Sequence, residues 1–539
     1  FERRVILAAK IIILVVFALL MIGIGVFTRK NATDVNGFVL GGRSVGPWMT
    51  AFAYGTSYFS AVIFIGYAGQ FGWSYGLSST WIGIGNAIIG SMLAWIVLGN
   101  RTRIMTKHLN VSTMPEYFEK RYDSKALKIA AALIVFLFLI PYTASVYNGL
   151  STLFNSAFPG ITYTTWIIIM ALFTAVYVIL GGYKATAVND FVQGIIMLIG
   201  IAAVVVCAVN NKGGLSAVYE GLGQISSGSV HGTYNSVLGP DPLNLIGVII
   251  LTSLGTWGLP QMVQKFYAIK DKPSIKRGTI ISTFFAVVVA GGSYFLGGLG
   301  RLFCTTDANE GGKAFIETLA NGKPNFDTMV PAILEESVPE VLFGLVVVLV
   351  LSASMSTLAG LVLSSSSTMT IDLIKPFVKK GMSEKKQVLV MRLFIGVFLI
   401  ISVLIAAYKD KLNAMGINIS ALMGISWGTL AGSFLAPFMY GLFSKKITKA
   451  AVWTSLASGV IITVASMIFF NLGLFPELTA KAASVTICGY GLNLASPINW
   501  GAIAMILGLI EVPIVSLISG AGKAEKKNEK LFECFSNND

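Results

Sequence analysis

Long apolar runs recur along almost the whole chain, each close to the length an α-helix needs to cross the ~30 Å hydrocarbon core of a bilayer. Thirteen such runs lie near residues 5–27, 45–71, 80–99, 126–150, 162–180, 190–209, 243–266, 278–300, 341–366, 388–408, 418–443, 450–471 and 499–520, and are numbered here as helices 1 to 13. In lipid every backbone polar group must be satisfied internally, which restricts a spanning chain to helices or closed barrels. These runs lack the alternation of barrel strands, so the fold class is an all-α integral membrane protein. Composition agrees: 55% of residues are hydrophobic and 12% charged, where a soluble domain carries about a quarter charged residues.

The net charge of +14 would suggest nucleic acid in a soluble protein, but here it reads as topology. Of the 35 Lys and Arg residues outside helix ends, 26 fall in the loops after helices 1, 3, 5, 7, 9 and 11 and in the tail, and nine on the opposite side. The positive-inside rule then puts the N-terminus outside and the C-terminus inside. Arg3 and Arg4 oppose this locally, and the larger imbalance outweighs them. Helix 1 has the basic start of a signal peptide, but Phe27 leads straight into Thr28-Arg29-Lys30 with no small-x-small cleavage pattern, so it is expected to be retained. The chain opens on Phe1 rather than Met, and a few preceding residues are expected.

Several function classes are excluded. Gly522-Lys523 is followed by Ala524 and lacks the glycine of a P-loop; with only His108 and His231 there is no His-Glu-x-x-His site. Cys207, Cys304, Cys488 and Cys534 have neither metal spacing nor a redox motif, although Cys304 and Cys488 share the expected outer side and a disulfide between them is open. The longest connections, near 210–242, 301–340 and 472–498, are too short for a catalytic domain and read as caps or plain loops. The expectation is a transporter rather than an enzyme, with no cofactor, no nucleic acid and no obligatory protein partner.

Two helices carry interruptions. Helix 2 contains Ala53-Tyr54-Gly55-Thr56-Ser57-Tyr58-Phe59-Ser60, and helix 7 contains Leu254-Gly255-Thr256-Trp257-Gly258-Leu259-Pro260-Gln261. Such breaks weaken a helix by roughly 1 kcal/mol per Gly and 3 per Pro, and lipid tolerates them where the freed carbonyls line a cavity or hold an ion. The two lie five helices apart, so a second block of five would enter the membrane in the opposite sense, as in inverted-repeat transporters. The competing explanation is that Gly and Pro are common in membrane helices. Helix 9 adds a face of small and hydroxyl residues at 353, 356, 357, 360 and 364. It serves either close helix packing or, with carbonyls from a neighbouring broken helix, a sodium ion.

The stretches Gly41-Gly42-Arg43-Ser44-Val45-Gly46-Pro47-Trp48, Gly181-Gly182-Tyr183-Lys184-Ala185-Thr186-Ala187-Val188-Asn189-Asp190-Phe191-Val192-Gln193-Gly194 and Met355-Ser356-Thr357-Leu358 resemble the sodium:solute symporter family. The resemblance spans roughly residues 37 to 520. It implies the leucine-transporter fold: residues 1–44 as an extra helix and loop, 45–209 and 243–443 as inverted five-helix repeats joined by an outer loop at 210–242, 444–520 as two peripheral helices, and 521–539 as a basic cytoplasmic tail. It also implies a multi-pass protein of a bacterial inner membrane with Na⁺ as coupling ion. Carried over residue by residue, the sodium ligands are the carbonyls of Thr56, Phe59 and Ala353 and the hydroxyls of Ser356 and Thr357. Some relatives hold a second sodium at an acid matching Asp190, but the accompanying hydroxyl positions are Ala359 and Gly360 here. Asp190 then either assists sodium exit or caps helix 6.

By analogy with the fold, solute would bind between helices 2, 4 and 7. The candidates are Thr143 and Tyr147 on helix 4, Thr252, Thr256, Trp257 and Gln261 on helix 7, and Tyr58 and Gln70 on helix 2, the aromatic ones serving equally as packing. No charged residue is expected mid-helix in this region. Proline symporters place aromatic residues at the positions of Thr252 and Thr256 and an acid at that of Tyr58; Gly258-Leu259-Pro260, Asn189-Asp190 and Met197-Leu198-Ile199-Gly200 look closer to pantothenate symporters. The expectation is a small carboxylate such as pantothenate, with proline or another amino acid as the alternative. A sugar or sialic acid symporter, or a sodium-dependent channel or sensor of the same fold, ranks lower.

Overall fold

The computed structural model describes every residue except Phe1, Pro159, Ala320, Asn321, Lys323, Lys379, Lys380, Gly416, Gly473, Ser484, Cys488 and 537–539. Among the described residues, eleven helices are long and apolar enough to cross a membrane. The sequence marks thirteen runs, and the difference arises at two glycines. The stretch Val62–His108 turns at Gly76 (φ 60°, ψ −139°), between helix 2 and helix 3. Tyr163–Asn211 turns at Gly182 (φ 56°, ψ −152°), in a region that penalises any residue with a Cβ. The two arms of this second turn fold back on each other. Tyr177 donates to the Met355 carbonyl at 2.7 Å, while Asp190 lies beside the next residue, Ser356; thirteen residues of straight helix would hold them about 20 Å apart.

Helix starts follow side-chain caps. Ser124, Thr162, Asn418 and Thr448 each accept a backbone N–H three residues on, opening Lys125–Ala157 (helix 4), Tyr163–Asn211 (helices 5 and 6), Ile419–Phe443 (helix 11) and Lys449–Ser466 (helix 12). Helix 9, Glu340–Thr368 with a π-helical extension to Ile374, and helix 11 form the centre. The most apolar stretches of these two are 94% and 100% buried, against 22% for helix 1 and 33% for helices 10 and 12. The outer helices therefore spend their apolar residues on lipid and the inner ones on each other. Where helix 2 meets helix 8, a Cβ on Gly72 would lie 2.0 Å from the Gly297 carbonyl carbon, so the two backbones touch directly.

Among the described residues four short strands occur in the long connections, outside the spanning helices: Cys304–Thr305 pairs parallel with Ala314–Phe315, and Val485–Ile487 antiparallel with Tyr490–Leu492. The all-helical reading holds for the membrane and not for these loops, where water can satisfy strand edges. Cys304 is buried, with its sulfur 3.9 Å from the Met329 carbonyl; Cys488 lies outside the described residues. The segment read as a basic tail contains a helix, Ala521–Ser536. It docks by placing Phe535 and Phe532 against the guanidinium groups of Arg101 (4.7 Å) and Arg121 (5.2 Å), an arrangement with no signature in the tail's own composition.

A candidate sodium and solute site

Helix 2 begins as Pro47–Tyr58, breaks where Phe59 adopts extended backbone (φ −96°, ψ 117°), and resumes through a π-helical turn, Val62–Tyr67. The break leaves carbonyls of the last turn without their usual donors. Helix 9 presents hydroxyls to that gap. Thr357 Oγ1 lies 3.3 Å from the Thr56 carbonyl, 3.4 Å from that of Phe59 and 3.2 Å from that of Ala353. Ser356 Oγ donates to Thr56 Oγ1 at 2.6 Å, and Thr56 Oγ1 donates to the Phe52 carbonyl at 2.8 Å. A threonine hydroxyl carries one proton, yet three carbonyl oxygens converge on Thr357. All of these residues are buried. An enclosed cluster with more acceptors than protons suits a hard cation with oxygen ligands, and all five residues expected at the sodium site contribute to it.

Next to this cluster, Asp190 and Lys265 face each other at 4.0 Å with both side chains almost wholly buried. Lys265 also sits 5.1 Å from the Tyr183 ring. The absence of mid-helix charge is expected for the solute region; this pair lies beside the ion cluster instead. The sequence reading assigned Lys265 to the basic loop after helix 7, but the helix Pro260–Ala268 carries it inward. Ala359 and Gly360 supply no hydroxyl beside Asp190, so the described groups that face its charge are the Lys265 ammonium and the Ser356 hydroxyl.

A second cluster consists of buried polar atoms that lack hydrogen-bond partners among the described residues: the hydroxyls of Tyr58, Tyr67, Tyr142 and Tyr294, Nδ2 of Asn86 and Nε1 of Trp427. They are mutual neighbours. Tyr58 lies beside Asn86 and Tyr142, Tyr294 beside Tyr58 and Asn86, and Tyr67 beside Tyr294 and Tyr142. The Trp427 ring is 6.3 Å from Tyr58 and 5.8 Å from Tyr142. Unsatisfied buried groups are costly, and six side by side form a polar lining with which a polar molecule can exchange hydrogen bonds. The group draws on helices 2, 3, 4, 8 and 11. Sequence reasoning named only Tyr58 of the six; the available signal was Asn86, a lone amide inside an apolar run.

The other expected solute residues fare differently. Thr256 Oγ1 donates toward the carbonyls of Gly90 (3.0 Å) and Ser253 (2.9 Å), and Trp257 Nε1 donates to that of Ile89 at 2.9 Å. The π-helical stretch Asn86–Leu93 of helix 3 leaves such carbonyls available, and helix 7 answers them. Thr252 and Thr143 bond back to the Val248 and Leu139 carbonyls of their own helices. Tyr147 has a partnerless hydroxyl but sits toward Tyr177. Gln261 is buried, and neither amide atom has a hydrogen-bond partner among the described residues. Gln70 lies 3.4 Å from Asn418, on a cavity of about 600 Å³ lined also by residues of the 472–498 connection.

Comparison with known proteins gives these features a setting. The profile of the sodium:solute symporter family matches residues 38–459. An osmoregulated proline transporter of Bacillus subtilis is 27% identical over 472 residues, covering 86% of this chain and 89% of its own. A sodium/proline symporter of Staphylococcus aureus is 29% identical over 470 residues, covering 84% and 85%. Among solved structures, a substrate-bound, outward-open Na⁺-coupled sialic acid symporter superposes with a TM-score of 0.71 at 18% identity, over 95% of this chain and 97% of its own. Mhp1, a nucleobase-cation-symport transporter, gives 0.50 at 15% identity.

Proposed function

Because this chain belongs to the sodium:solute symporter family and has the leucine-transporter fold, we propose that it imports proline, or a closely similar zwitterion, together with one sodium ion. It is a multi-pass membrane transporter, not an enzyme. The observation that carries the ion is the surplus of carbonyl oxygens around Thr357. Thr56, Phe59, Ala353, Ser356 and Thr357 hold it, in an electrically neutral cluster from which a monovalent ion can also leave. A single sodium fits because Lys265 already balances Asp190.

Support for the solute comes from the two proline-transporting relatives and from the neutral cage of Tyr58, Tyr67, Asn86, Tyr142, Tyr294 and Trp427. A zwitterion brings no net charge into it, and aromatic faces suit an apolar ring. Pantothenate finds no support among these relatives; the Thr252 and Thr256 hydroxyls, at positions where proline symporters differ from this chain, bond to helix carbonyls. Sodium fixes helix 2 against helix 9 and favours the outward-open, solute-competent state; rocking of the repeats then releases both inward, on the side of the C-terminal helix. One charge moved through ~100 mV contributes about 2.3 kcal/mol and a tenfold sodium gradient about 1.4, together enough for roughly 500-fold accumulation.

The test is uptake of labelled proline into proteoliposomes under a sodium gradient and under a potassium gradient. Accumulation above the outside concentration in sodium alone is expected, with no competition from pantothenate. Equilibration without accumulation would mean a channel or sensor, and no uptake would remove proline.

A further inference from the structure

On the face richest in lysine and arginine, away from the transport path, the start of helix 12, the end of helix 13 (Pro497–Ile518) and the start of the C-terminal helix enclose a pocket of about 240 Å³. Its floor is built from hydroxyls. Thr448 caps helix 12 through a 3.3 Å bond from the Ala451 N–H and shares a 2.6 Å bond with Ser519, and its own N–H donates to Ser516 Oγ at 3.3 Å. Lys449, Lys523 and Lys527 line the pocket, with Arg121 behind them. Arg121 is already engaged, donating to the carbonyls of Gly441 (2.9 Å) and Ser444 (2.8 Å).

The opposing charge is small. Asp123, an exposed residue, pairs with Lys527 at 2.7 Å and lies near Lys449; Glu525 pairs with Lys446 at 3.7 Å, and neither of those two lines the pocket. Lys449 and Lys523 are in no ion pair among the described residues. Two helices, Lys449–Ser466 and Ala521–Ser536, also point their positive N-terminal ends here. The pocket opens beside apolar surface: Leu517 and Ile518, immediately before Ser519, are 71% and 81% exposed. Trp453, one turn into helix 12, is partly exposed where aromatic side chains sit at headgroup level. A phosphate anion carried on acyl chains matches both halves of this surface, whereas a free phosphate matches one.

We propose that this pocket binds the phosphate of an anionic phospholipid headgroup and thereby pins the C-terminal helix to the ends of helices 12 and 13. The test uses the purified full chain, native mass spectrometry, and three probes: short-chain phosphatidylglycerol, phosphatidylcholine of the same chain length, and inorganic phosphate. Phosphatidylglycerol is expected to bind wild type in preference to both others. The combined Lys449→Gln, Lys523→Gln and Lys527→Gln variant should bind it on the order of a hundredfold more weakly, about fivefold per lysine, with sodium-driven uptake in phosphatidylcholine vesicles unchanged. The corresponding triple Arg variant should bind as wild type does. Equal binding of phosphatidylglycerol by wild type and the Gln variant, loss of binding in the Arg variant, or inorganic phosphate binding as tightly as phosphatidylglycerol would each overturn the proposal.

Discussion

Helices 2 and 7 are interrupted at corresponding places, five helices apart, and their sequences offer similar material: glycine, hydroxyl and aromatic side chains around a break. The structure uses them in opposite ways. At helix 2 the freed carbonyls of Thr56 and Phe59 meet another carbonyl, Ala353, around one hydroxyl, so acceptors outnumber protons. At helix 7 three protons, from Thr256, Trp257 and the Tyr54 hydroxyl, meet three carbonyls, those of Ser253, Gly90 and Ile89, so donors and acceptors match. An unbalanced break can hold an ion, and a balanced one fastens two helices. The difference lies in the neighbour: helix 9 brings hydroxyls and a carbonyl to helix 2, while the π-helical stretch of helix 3 brings carbonyls to helix 7.

The contrast can be broken at its hinge first. Lys265, beyond the helix 7 break, reaches Asp190 beside the helix 2 cluster. Lys265→Met leaves a buried carboxylate unpaired, a loss of about 3–5 kcal/mol, seen as a large drop in folded protein by size exclusion. Adding Asp190→Asn should restore the fold; failure to restore it would mean that the pair is not the source of the loss. Next in size, replacing Ser356 and Thr357 together by Ala should raise the sodium concentration for half-maximal uptake roughly ten- to hundredfold, at ~1.4 kcal/mol per decade. Unchanged sodium dependence would refute the ion site.

Asn86→Leu tests the solute cage and should raise the proline KM by about tenfold, the worth of one hydrogen bond, with sodium dependence intact. The smallest effect belongs to the balanced break. Thr256→Val should cost about 1 kcal/mol of stability, read as a Tm lowered by a few degrees, and leave the half-saturating sodium concentration where it was. A shift in sodium dependence as large as that of the helix 9 variant would erase the distinction between the two breaks.

Membrane residence, the apolar runs and the charge asymmetry were legible because they depend on length and composition, which the bilayer reads directly. The residues proposed to hold sodium came from the family resemblance; by themselves Gly55–Ser60 and Ser352–Gly360 showed only a broken helix and a hydroxyl face, local properties that fit close packing equally well. Proton counts were not legible, because whether a freed carbonyl is satisfied depends on a side chain some 300 positions away, as between Thr56 and Thr357. The same reason hid Lys265, which looked like a loop charge until the chain brought Asp190 to it, and the cage residues Asn86, Tyr294 and Trp427, which come from three helices. By itself the sequence determined a helical membrane protein with two interrupted helices and a hydroxyl-bearing face on a third. Tertiary structure alone decided which break has acceptors to spare, because hydrogen-bond balance belongs to pairs of helices and not to either one.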